Sequence, residues 1–257
     1  MKVHFTHHYF LNPPHQITID LVGMGGTGSQ VLIGLARMNQ ALIGLGHPGL
    51  HVRAWDADEV TTANMGRQLF SPADVGINKA IVLITRVNRF FGYDWLAMPE
   101  VYRGNLTSNI IITCVDTAKA RLTIGKKITN YKKNGEPTNE PYYWLDLGNL
   151  QKSGQCVLGT IQSSSLPSRG VQKAGTYTRT LKNVIQLFPQ LKRIQEEMQG
   201  PSCSLAEALE KQDLFINSTL AQFGCNLLWK LIRDKELKYH GCYVNLESLS
   251  VNPLVIK

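Results

Sequence analysis

The segment ITIDLVGMGGTGSQ, which begins at Ile17, constrains the fold more than any other part of the 257-residue chain. Its first six residues predict a buried strand, which a cluster of glycines then breaks at Gly23, Gly25, Gly26 and Gly28. Apolar residues at helical spacing follow the loop. A glycine loop between a strand and a helix lets backbone N–H groups approach a phosphate at the positive end of the helix. We therefore expect a phosphate site here, the alternative being a tight turn without a ligand.

Further strands and helices alternate along the chain. The pattern is carried by LHVRAWDADEV, KAIVLITRVNRFF, NIIITCVD, YYWLDLGN and CVLGTI. The second of these reads as a helix with Ile81, Ile84, Val87 and Phe91 on one face, and the third as a central parallel strand. Such alternation predicts a Rossmann-like, doubly wound α/β fold, in which a mainly parallel sheet has helices on both faces. The alternating C-terminal stretch CYVNLESLSVNPLVI predicts an antiparallel strand extension.

The chain is interpreted as one domain over residues 1–257, comprising an N-terminal extension (1–16), a nucleotide-binding core (17–162), a crossover loop or insert (163–202) and a C-terminal helix with strands (203–257). The C-terminal helix is expected to begin at a capping box formed by Ser204 and Glu207. In the N-terminal extension, His4, His7 and His8 could bind a metal ion. A mobile strand is the simpler interpretation of that extension.

The composition is that of a globular protein, with 43% hydrophobic and 18% charged residues. A net charge of +8 favours an anionic partner such as a nucleotide or an acidic protein. The pattern argues against nucleic acid, because the chain has neither a run of five basic residues nor a zinc-finger spacing. It has no eighteen-residue apolar stretch and no signal-type core, so we expect no membrane contact and a cytoplasmic location. The five cysteines include no CxxC pair, so we expect no zinc site. Their odd number, without a signal peptide, predicts a reducing compartment.

Two acidic residues follow the second predicted strand. Asp56 stands at the strand end, where an acid in such folds accepts hydrogen bonds from ribose hydroxyls. Asp58 would assist it or only cap the turn. Up to this point the sequence fits a nicotinamide enzyme as well as any other nucleotide-binding protein.

The next polar residues favour a triphosphate. Asn64, Arg67 and Gln68 follow within twelve residues of Asp56, and Lys79 comes later in DVGINKA. The bridging diphosphate of a dinucleotide needs few cations, whereas a triphosphate carries about two more charges and a leaving group. Arg67 and Lys79 are suited to neutralise that surplus. The sequence therefore favours a triphosphate over a dinucleotide as the ligand.

The order of these motifs resembles the ThiF/MoeB adenylyltransferase family, which includes the nucleotide-binding domains of ubiquitin-activating enzymes. The resemblance rests on GxGGxG, DxDxV, Asn, Arg-Gln, Gly-x-x-Lys and an apolar strand ending in Asp, and covers roughly residues 17–121. A further stretch, PSCSLAEALEKQDLFIN, is similar to the ThiF family protein of the bacterial PRTRC system. The resemblance implies ATP-dependent adenylation of the C-terminal carboxylate of a small ubiquitin-like, β-grasp or sulfur-carrier protein, with release of pyrophosphate. It also implies a homodimer.

The same resemblance implies a role for each matching residue. The residues expected to contact ATP are Gly23, Gly25, Gly26 and Gly28 at the phosphates, Asp56 with Asp58 at the ribose, Asn64, Arg67 and Gln68 at the phosphates and the reacting carboxylate, and Lys79 at the phosphates. Asp116 is expected to bind Mg²⁺ together with ATP. Arg121, which follows it, is expected to be structural.

Some relatives pass the acyl group to a cysteine, and Cys203 is the candidate for such a thioester here. It precedes the proposed helix cap Ser204, where a helix N-terminus would lower the pKa of the thiol. A structural role for Cys203 is the alternative. Cys114 is expected to be inert and Cys225 to belong to the core.

The sequence differs from the family pattern in two respects, and two alternative functions stay open. Many relatives take an Arg from an N-terminal helix, often across a dimer, but residues 1–36 contain no Arg. The paired CxxC zinc site of many relatives is absent as well. A catalytically silent nucleotide-binding scaffold of the same fold is one alternative function. An NAD-dependent oxidoreductase is the other.

Overall fold

The computed structural model describes residues 1–65, 68–132, 139–164, 176–193 and 212–257. Its helices there are α1 (Gly26–Gly44), α2 (Lys79–Phe91), α3 (Ala118–Thr129), α4 (Val184–Leu187) and α5 (Ile216–Arg233). Its strands there are β1 (Val3–Phe5), β2 (Ile17–Val22), β3 (Leu50–Trp55), β4 (Leu96–Met98), β5 (Ile110–Thr113), β6 (Tyr143–Asn149), β7 (Ser153–Thr160), β8 (Tyr177–Thr178), β9 (Glu236–Leu237), β10 (Tyr239–Asn245) and β11 (Ser250–Val255). Among the helices described, none is long and apolar enough to cross a membrane.

Eight of the described strands form the central sheet, in the order β11-β10-β7-β6-β5-β2-β3-β4. The run from β6 to β4 is parallel, whereas β7, β10 and β11 are antiparallel additions at one side. The Rossmann-like α/β fold predicted from the sequence is therefore confirmed.

The position of β2 in this order determines where a ligand can bind. From β2 the chain winds outward to β3 and β4, and it then crosses to the other side of β2 to form β5. The winding direction thus reverses between β2 and β5. Open α/β sheets bind ligands in the crevice at this switch point, beyond the carboxyl ends of the strands.

The sheet has an apolar core on each face. Successive residues of β5 point to opposite faces, so Ile110 and Ile112 join the core beneath α1, α2 and α5, while Ile111 joins the core beneath α3 and α4. This two-sided burial explains why β5 is almost entirely apolar.

The ends of α2 follow local sequence signals. The side chain of Asn78 caps its first turn by accepting hydrogen bonds from the N–H groups of Ala80 and Ile81. Gly92 ends the helix with φ of 74°. The predicted apolar face is wrong in one member, since Ile81 is exposed and Leu83 is buried instead. Leu83 lies three residues after the buried Ala80, so it continues the same helical face.

The N-terminal extension is packed against the domain, and the prediction of a mobile strand is wrong. β1 lies between β8 and β9 in a small three-stranded sheet. The His4 ring is fully buried, with Nδ1 3.1 Å from the Thr178 carbonyl oxygen and Nε2 3.1 Å from the Tyr143 hydroxyl. Burial lowers the pKa of His4 to about 4. The histidine is thus a neutral core residue that joins the extension to β6.

The C-terminal region forms a helix followed by a hairpin. α5 begins at Ile216, whereas the predicted start and its capping box at Ser204 and Glu207 lie outside the described residues. The alternating tail forms two antiparallel strands, β10 and β11, and Leu249 has φ of 52° in the turn between them.

Candidate nucleotide site

The glycine loop after β2 is fixed by backbone contacts that only glycine permits. Gly23 donates its N–H to the Trp55 carbonyl oxygen at 2.9 Å and has φ of +88°. A Cβ atom on Gly23 would lie 2.8 Å from the carbonyl oxygen of Cys114. A Cβ atom on Gly28 would lie 1.7 Å from the carbonyl oxygen of Gly23. These two glycines therefore bring β2, α1 and the end of β5 together.

The N-terminus of α1 presents unsatisfied N–H groups at the switch point. Its N-cap residue is Gly25, so no side chain caps the helix, and its first turn contains no acidic residue. The first N–H groups of a helix have no acceptor within the helix. A Cβ atom added to Gly25 would meet only the amide group of Gln68, at 3.9 Å or more, so the backbone is open to a ligand there. The arrangement fits a phosphate group.

Asp56 follows β3 and contacts the glycine loop. One carboxylate oxygen accepts the N–H of Met24 at 2.6 Å, and the other accepts the N–H of Asp58 at 2.8 Å. Burial raises the pKa of the Asp56 carboxyl above its usual value, while these two N–H groups and Lys79 oppose the rise. Asp56 therefore positions the loop, and its remaining lone pairs are suited to accept ribose hydroxyls.

Lys79 is the first residue of α2 and is buried to 8% exposure. Its Nζ atom lies 2.9 Å from a carboxylate oxygen of Asp58, whose side chain is mostly exposed. The N-cap residue Asn78 donates its amide N–H to the carbonyl oxygens of Asp56 and Asp58, at 2.8 and 3.2 Å. Asp58 is thus the counter-ion of Lys79, a pairing that the sequence analysis did not anticipate. The sequence does contain a signal for the N-cap role of Asn78, because an asparagine directly before a helix is typical of an N-cap residue.

Gln68 lies beside the glycine loop and is hydrogen-bonded to Asn64. The amide oxygen of Asn64 accepts the Thr61 N–H at 2.9 Å, and its carbonyl oxygen accepts the N–H of Gln68 at 3.0 Å. The side-chain Oε1 of Gln68 is buried and has no hydrogen-bond partner among the described residues. Its amide adjoins Gly25, so a ligand at the loop could satisfy it. Arg67 lies outside the described residues.

Asp116 follows β5, and the end of that strand packs against the glycine loop. Cys114, two residues earlier, donates its N–H to the carbonyl oxygen of Val22 at 2.8 Å and contacts Gly23. Asp116 itself is exposed. A single exposed carboxylate beside a phosphate site is the type of ligand that Mg²⁺ uses when it binds with a nucleotide.

A buried ion pair supports the segment that carries Asp116. The Arg121 Nε atom donates to a carboxylate oxygen of Asp146 at 2.7 Å, and an Nη atom donates to the Val115 carbonyl oxygen at 2.8 Å. Thr113 donates its hydroxyl to the same Asp146 oxygen at 2.6 Å. Arg121 is 6% exposed and Asp146 is fully buried. This geometry agrees with the structural role expected for Arg121.

The sequence analysis missed a polar contact behind the glycine loop. Asn217, in the first turn of α5, accepts the Thr27 hydroxyl at 2.8 Å and the Asn149 amide at 3.2 Å. A Cβ atom on Gly26 would lie 2.6 Å from the Asn217 side chain. Gly26 therefore allows α5 to pack against the start of α1. No local signal marks this role of Asn217, because Thr27 and Asn149 are distant from it in sequence.

Cys114 and Cys225 are both buried in the core. Burial raises the pKa of the Cys114 thiol well above its usual value and that of Cys225 to about 12. Cys203, the candidate nucleophile, lies outside the described residues. In the described part of the chain, no group of three or more His, Cys, Asp or Glu residues could hold a metal ion by itself.

Several solved structures share this fold. PaaA has a TM-score of 0.59 and 15% identity, with 94% of this chain and 64% of PaaA covered. MccB of E. coli with MccA-N7isoAsn has a TM-score of 0.56 and 16% identity, with 96% of this chain and 65% of MccB covered. MccB of E. coli with ATP has a TM-score of 0.54 and 14% identity, with 93% and 63% covered. This chain thus spans just under two thirds of the length of these proteins.

Sequence comparisons assign the family. A search of curated proteins finds no match. The sequence profile of the ThiF family matches residues 15–246, which is most of the chain and includes every strand of the parallel part of the sheet. The chain belongs to the ThiF family.

Proposed function

We propose that this protein uses ATP to adenylate the C-terminal carboxylate of a small ubiquitin-like or sulfur-carrier protein, releasing pyrophosphate. The observation that carries the proposal is the uncapped N-terminus of α1, which faces the switch point beside Asp56 and the buried Lys79. Membership of the ThiF family supports it. MccB, a structural neighbour, was solved with ATP, which also supports a nucleotide as the ligand.

In this reaction a carboxylate oxygen of the carrier forms a bond to the α-phosphorus of ATP. The bond between that phosphorus and the oxygen of pyrophosphate breaks, which leaves an acyl adenylate. Because a carboxylate and a triphosphate repel each other, the site has to offset negative charge. N–H groups at the start of α1, Lys79 and Arg67 would do so by contacting phosphate oxygens. Asp116 would hold the Mg²⁺ ion that accompanies ATP and draws charge from those oxygens.

The ion pair of Lys79 with Asp58 gives this lysine a defined place before ATP arrives. Its ammonium is held by an exposed carboxylate, so a phosphate can compete for it without leaving a buried charge unpaired. Asp56 keeps the glycine loop in position during this exchange through its hydrogen bond to Met24. We propose that Asp58 releases Lys79 to the phosphates.

The carrier would enter with an extended C-terminus that ends in glycine, since a bulky last residue would hinder approach to the α-phosphorus. The net charge of +8 suits an acidic carrier. A homodimer and transfer of the acyl group to Cys203 are further parts of the proposal that follow from family resemblance.

Pyrophosphate exchange tests the reaction. With ATP, Mg²⁺, labelled pyrophosphate and the carrier, label should enter ATP. Lys79→Met should slow exchange by about 10²–10³-fold, the effect of removing one charge-stabilising group. Lys126→Met, at an exposed position in the last turn of α3, is the matched control and should leave the rate unchanged. Equal rates for both variants would contradict the role of Lys79.

Calorimetry separates the alternatives. Binding of ATP with Mg²⁺ and no exchange with any candidate carrier would indicate a catalytically silent scaffold. Tight binding of NAD without binding of ATP would indicate an oxidoreductase and overturn the proposal.

A further inference from the structure

Two cysteines outside the nucleotide site face each other across neighbouring strands. Cys156 in β7 and Cys242 in β10 are direct partners in the antiparallel register. Their Sγ atoms are 3.5 Å apart. Both side chains are buried, with 1% and 6% exposure for Cys156 and Cys242. The pair has no role in the proposed adenylation.

The backbone geometry already suits a covalent bond between them. Directly opposed residues of an antiparallel pair have Cα atoms about 4.5–5.5 Å apart. Disulfides form across Cα distances of about 4.4–6.8 Å. Closing the S–S bond therefore needs only a small movement of the two sulfur atoms toward each other, without a change of strand register.

The pair is also accessible to a small molecule. Both cysteines line a cavity of about 350 Å³ between α5 and the antiparallel strands, together with Phe223, Leu227 and Val251. Cys242 is the more exposed of the two, and its sulfur is within hydrogen-bonding distance of the Cys156 sulfur, a contact that lowers the pKa of Cys242 when Cys156 is the donor. Thiolates, rather than thiols, react with oxidants.

The other described cysteines lack these features. Cys225 lies beneath α1, with its sulfur 3.9 Å from the carbonyl oxygen of Val31. The pKa of Cys225 is raised to about 12 by burial, and that of Cys114 is raised well above its usual value by burial and by Asp146. These two residues serve as internal controls for reactivity.

We propose that Cys156 and Cys242 form a redox-active dithiol that is oxidised reversibly to a disulfide by hydrogen peroxide. The Cys242 thiolate attacks one peroxide oxygen, the O–O bond breaks, and hydroxide leaves, so Cys242 becomes a sulfenic acid. The Cys156 sulfur then attacks the Cys242 sulfur, the S–O bond breaks, and water leaves with the proton of the Cys156 thiol. Two thiols and one peroxide thus give one disulfide and two waters, and the dithiol loses two electrons to the peroxide.

The bond would link the neighbouring strands β7 and β10 and close a long loop of the chain. The two cysteines are 86 positions apart, and this loop includes α5, whose Asn217 contacts the glycine-loop helix. Cross-linking a loop of this length restricts the unfolded chain far more than the folded one. The oxidised protein should therefore melt at a temperature about 4–16 °C higher than the reduced protein.

Peptide mapping tests the proposal on the full-length protein. Trypsin places each cysteine in a separate peptide: 104–119, 153–169, 194–211, 212–230 and 239–257. The reduced protein is treated with hydrogen peroxide, alkylated and digested without reductant. We expect peptides 153–169 and 239–257 to be joined with the loss of two hydrogen atoms, and dithiothreitol to separate them. Cys114 and Cys225 should remain reduced at the same peroxide concentration.

Two variants locate the first step. In Cys156→Ala, Cys242 should accumulate as a sulfenic acid that dimedone traps, whereas Cys242→Ala should leave Cys156 unmodified. Peptide mapping of the wild-type protein tests for the disulfide without any substitution, so misfolding of a variant cannot affect that test. The proposal is overturned if folded wild-type protein forms no such link, if the link forms only after unfolding in urea, or if Cys203 is the partner of either cysteine. Since none of these readouts uses ATP or a carrier, they are independent of the proposed function.

Discussion

Removing the charge of Arg121 should destabilise the protein strongly, because its partner Asp146 would remain buried without a counter-ion. The informative change is Arg121→Met, which keeps the apolar stem of the side chain and removes the guanidinium. It breaks the 2.7 Å bond to Asp146 and the 2.8 Å bond to the carbonyl oxygen of Val115. The first loss acts on stability, and the second acts on the segment that leads to Asp116.

The magnitude follows from the burial of both groups. Asp146 is fully buried and Arg121 is 6% exposed. Breaking a buried pair by removing one partner costs about 3–5 kcal/mol. For a protein of this size, each kcal/mol lowers the melting temperature by about 2–4 °C, so we expect a decrease of about 6–20 °C. Replacing both members, in Arg121→Met with Asp146→Leu, should recover at least half of the loss, since no unpaired charge then remains buried.

Urea titration of the four proteins in this double-mutant cycle measures the effect. A matched control is Lys152→Met, which removes a pair with Glu247 in which both side chains are largely exposed. That variant should unfold at the same urea concentration as the wild type. A loss below about 1 kcal/mol in Arg121→Met, the size typical of an exposed pair, would refute the view that Asp146 depends on Arg121.

Three further predictions concern the stability of the protein in acid and two glycines of α1. The pKa of buried His4 is about 4 instead of 6.5, so the neutral ring contributes its full share to the free energy of unfolding above pH 6.5. That free energy should fall by up to about 3 kcal/mol as the pH decreases toward 4. Melting of His4→Gln across this pH range should show a weaker fall. Gly28→Ala places a Cβ atom 1.7 Å from the carbonyl oxygen of Gly23, so it should abolish ATP binding in calorimetry and lower the melting temperature. Gly44→Ala, in the same helix with nothing within 4 Å, should instead raise stability by about 0.5–1 kcal/mol, as urea titration would show.

The fold and the glycine loop could be predicted because local sequence dictates them. β2, α1, β3 and α2 carry strand or helix periodicity, and glycines or an Asn cap mark their ends. The family profile and the sheet order agree with that prediction. The local pattern was wrong about Ile81, because one exposed apolar residue fits a helical spacing as well as a buried one.

Contacts between distant segments could not be predicted. The burial of His4 depends on Thr178 and Tyr143, and the packing of Asn217 depends on Thr27. The pairing of Asp58 with Lys79 spans 21 positions and is set by where α2 starts relative to the end of β3. Each of these contacts is set by the way the sheet is wound, and single-sequence periodicity carries no information about that.

The packing of Gly28 against Gly23 bears on how relatives of this protein can be sorted. Both residues are required for the chain to turn at all, whether or not a nucleotide ever binds there. A family member without catalytic activity would therefore still need both glycines. The glycine motif by itself does not distinguish active members from inactive ones. The fold does not require an exposed side chain such as that of Asp116 in the same way. Under the proposed function, the presence or loss of Asp116 is the better indicator of whether a member of the family still binds Mg²⁺ with its nucleotide.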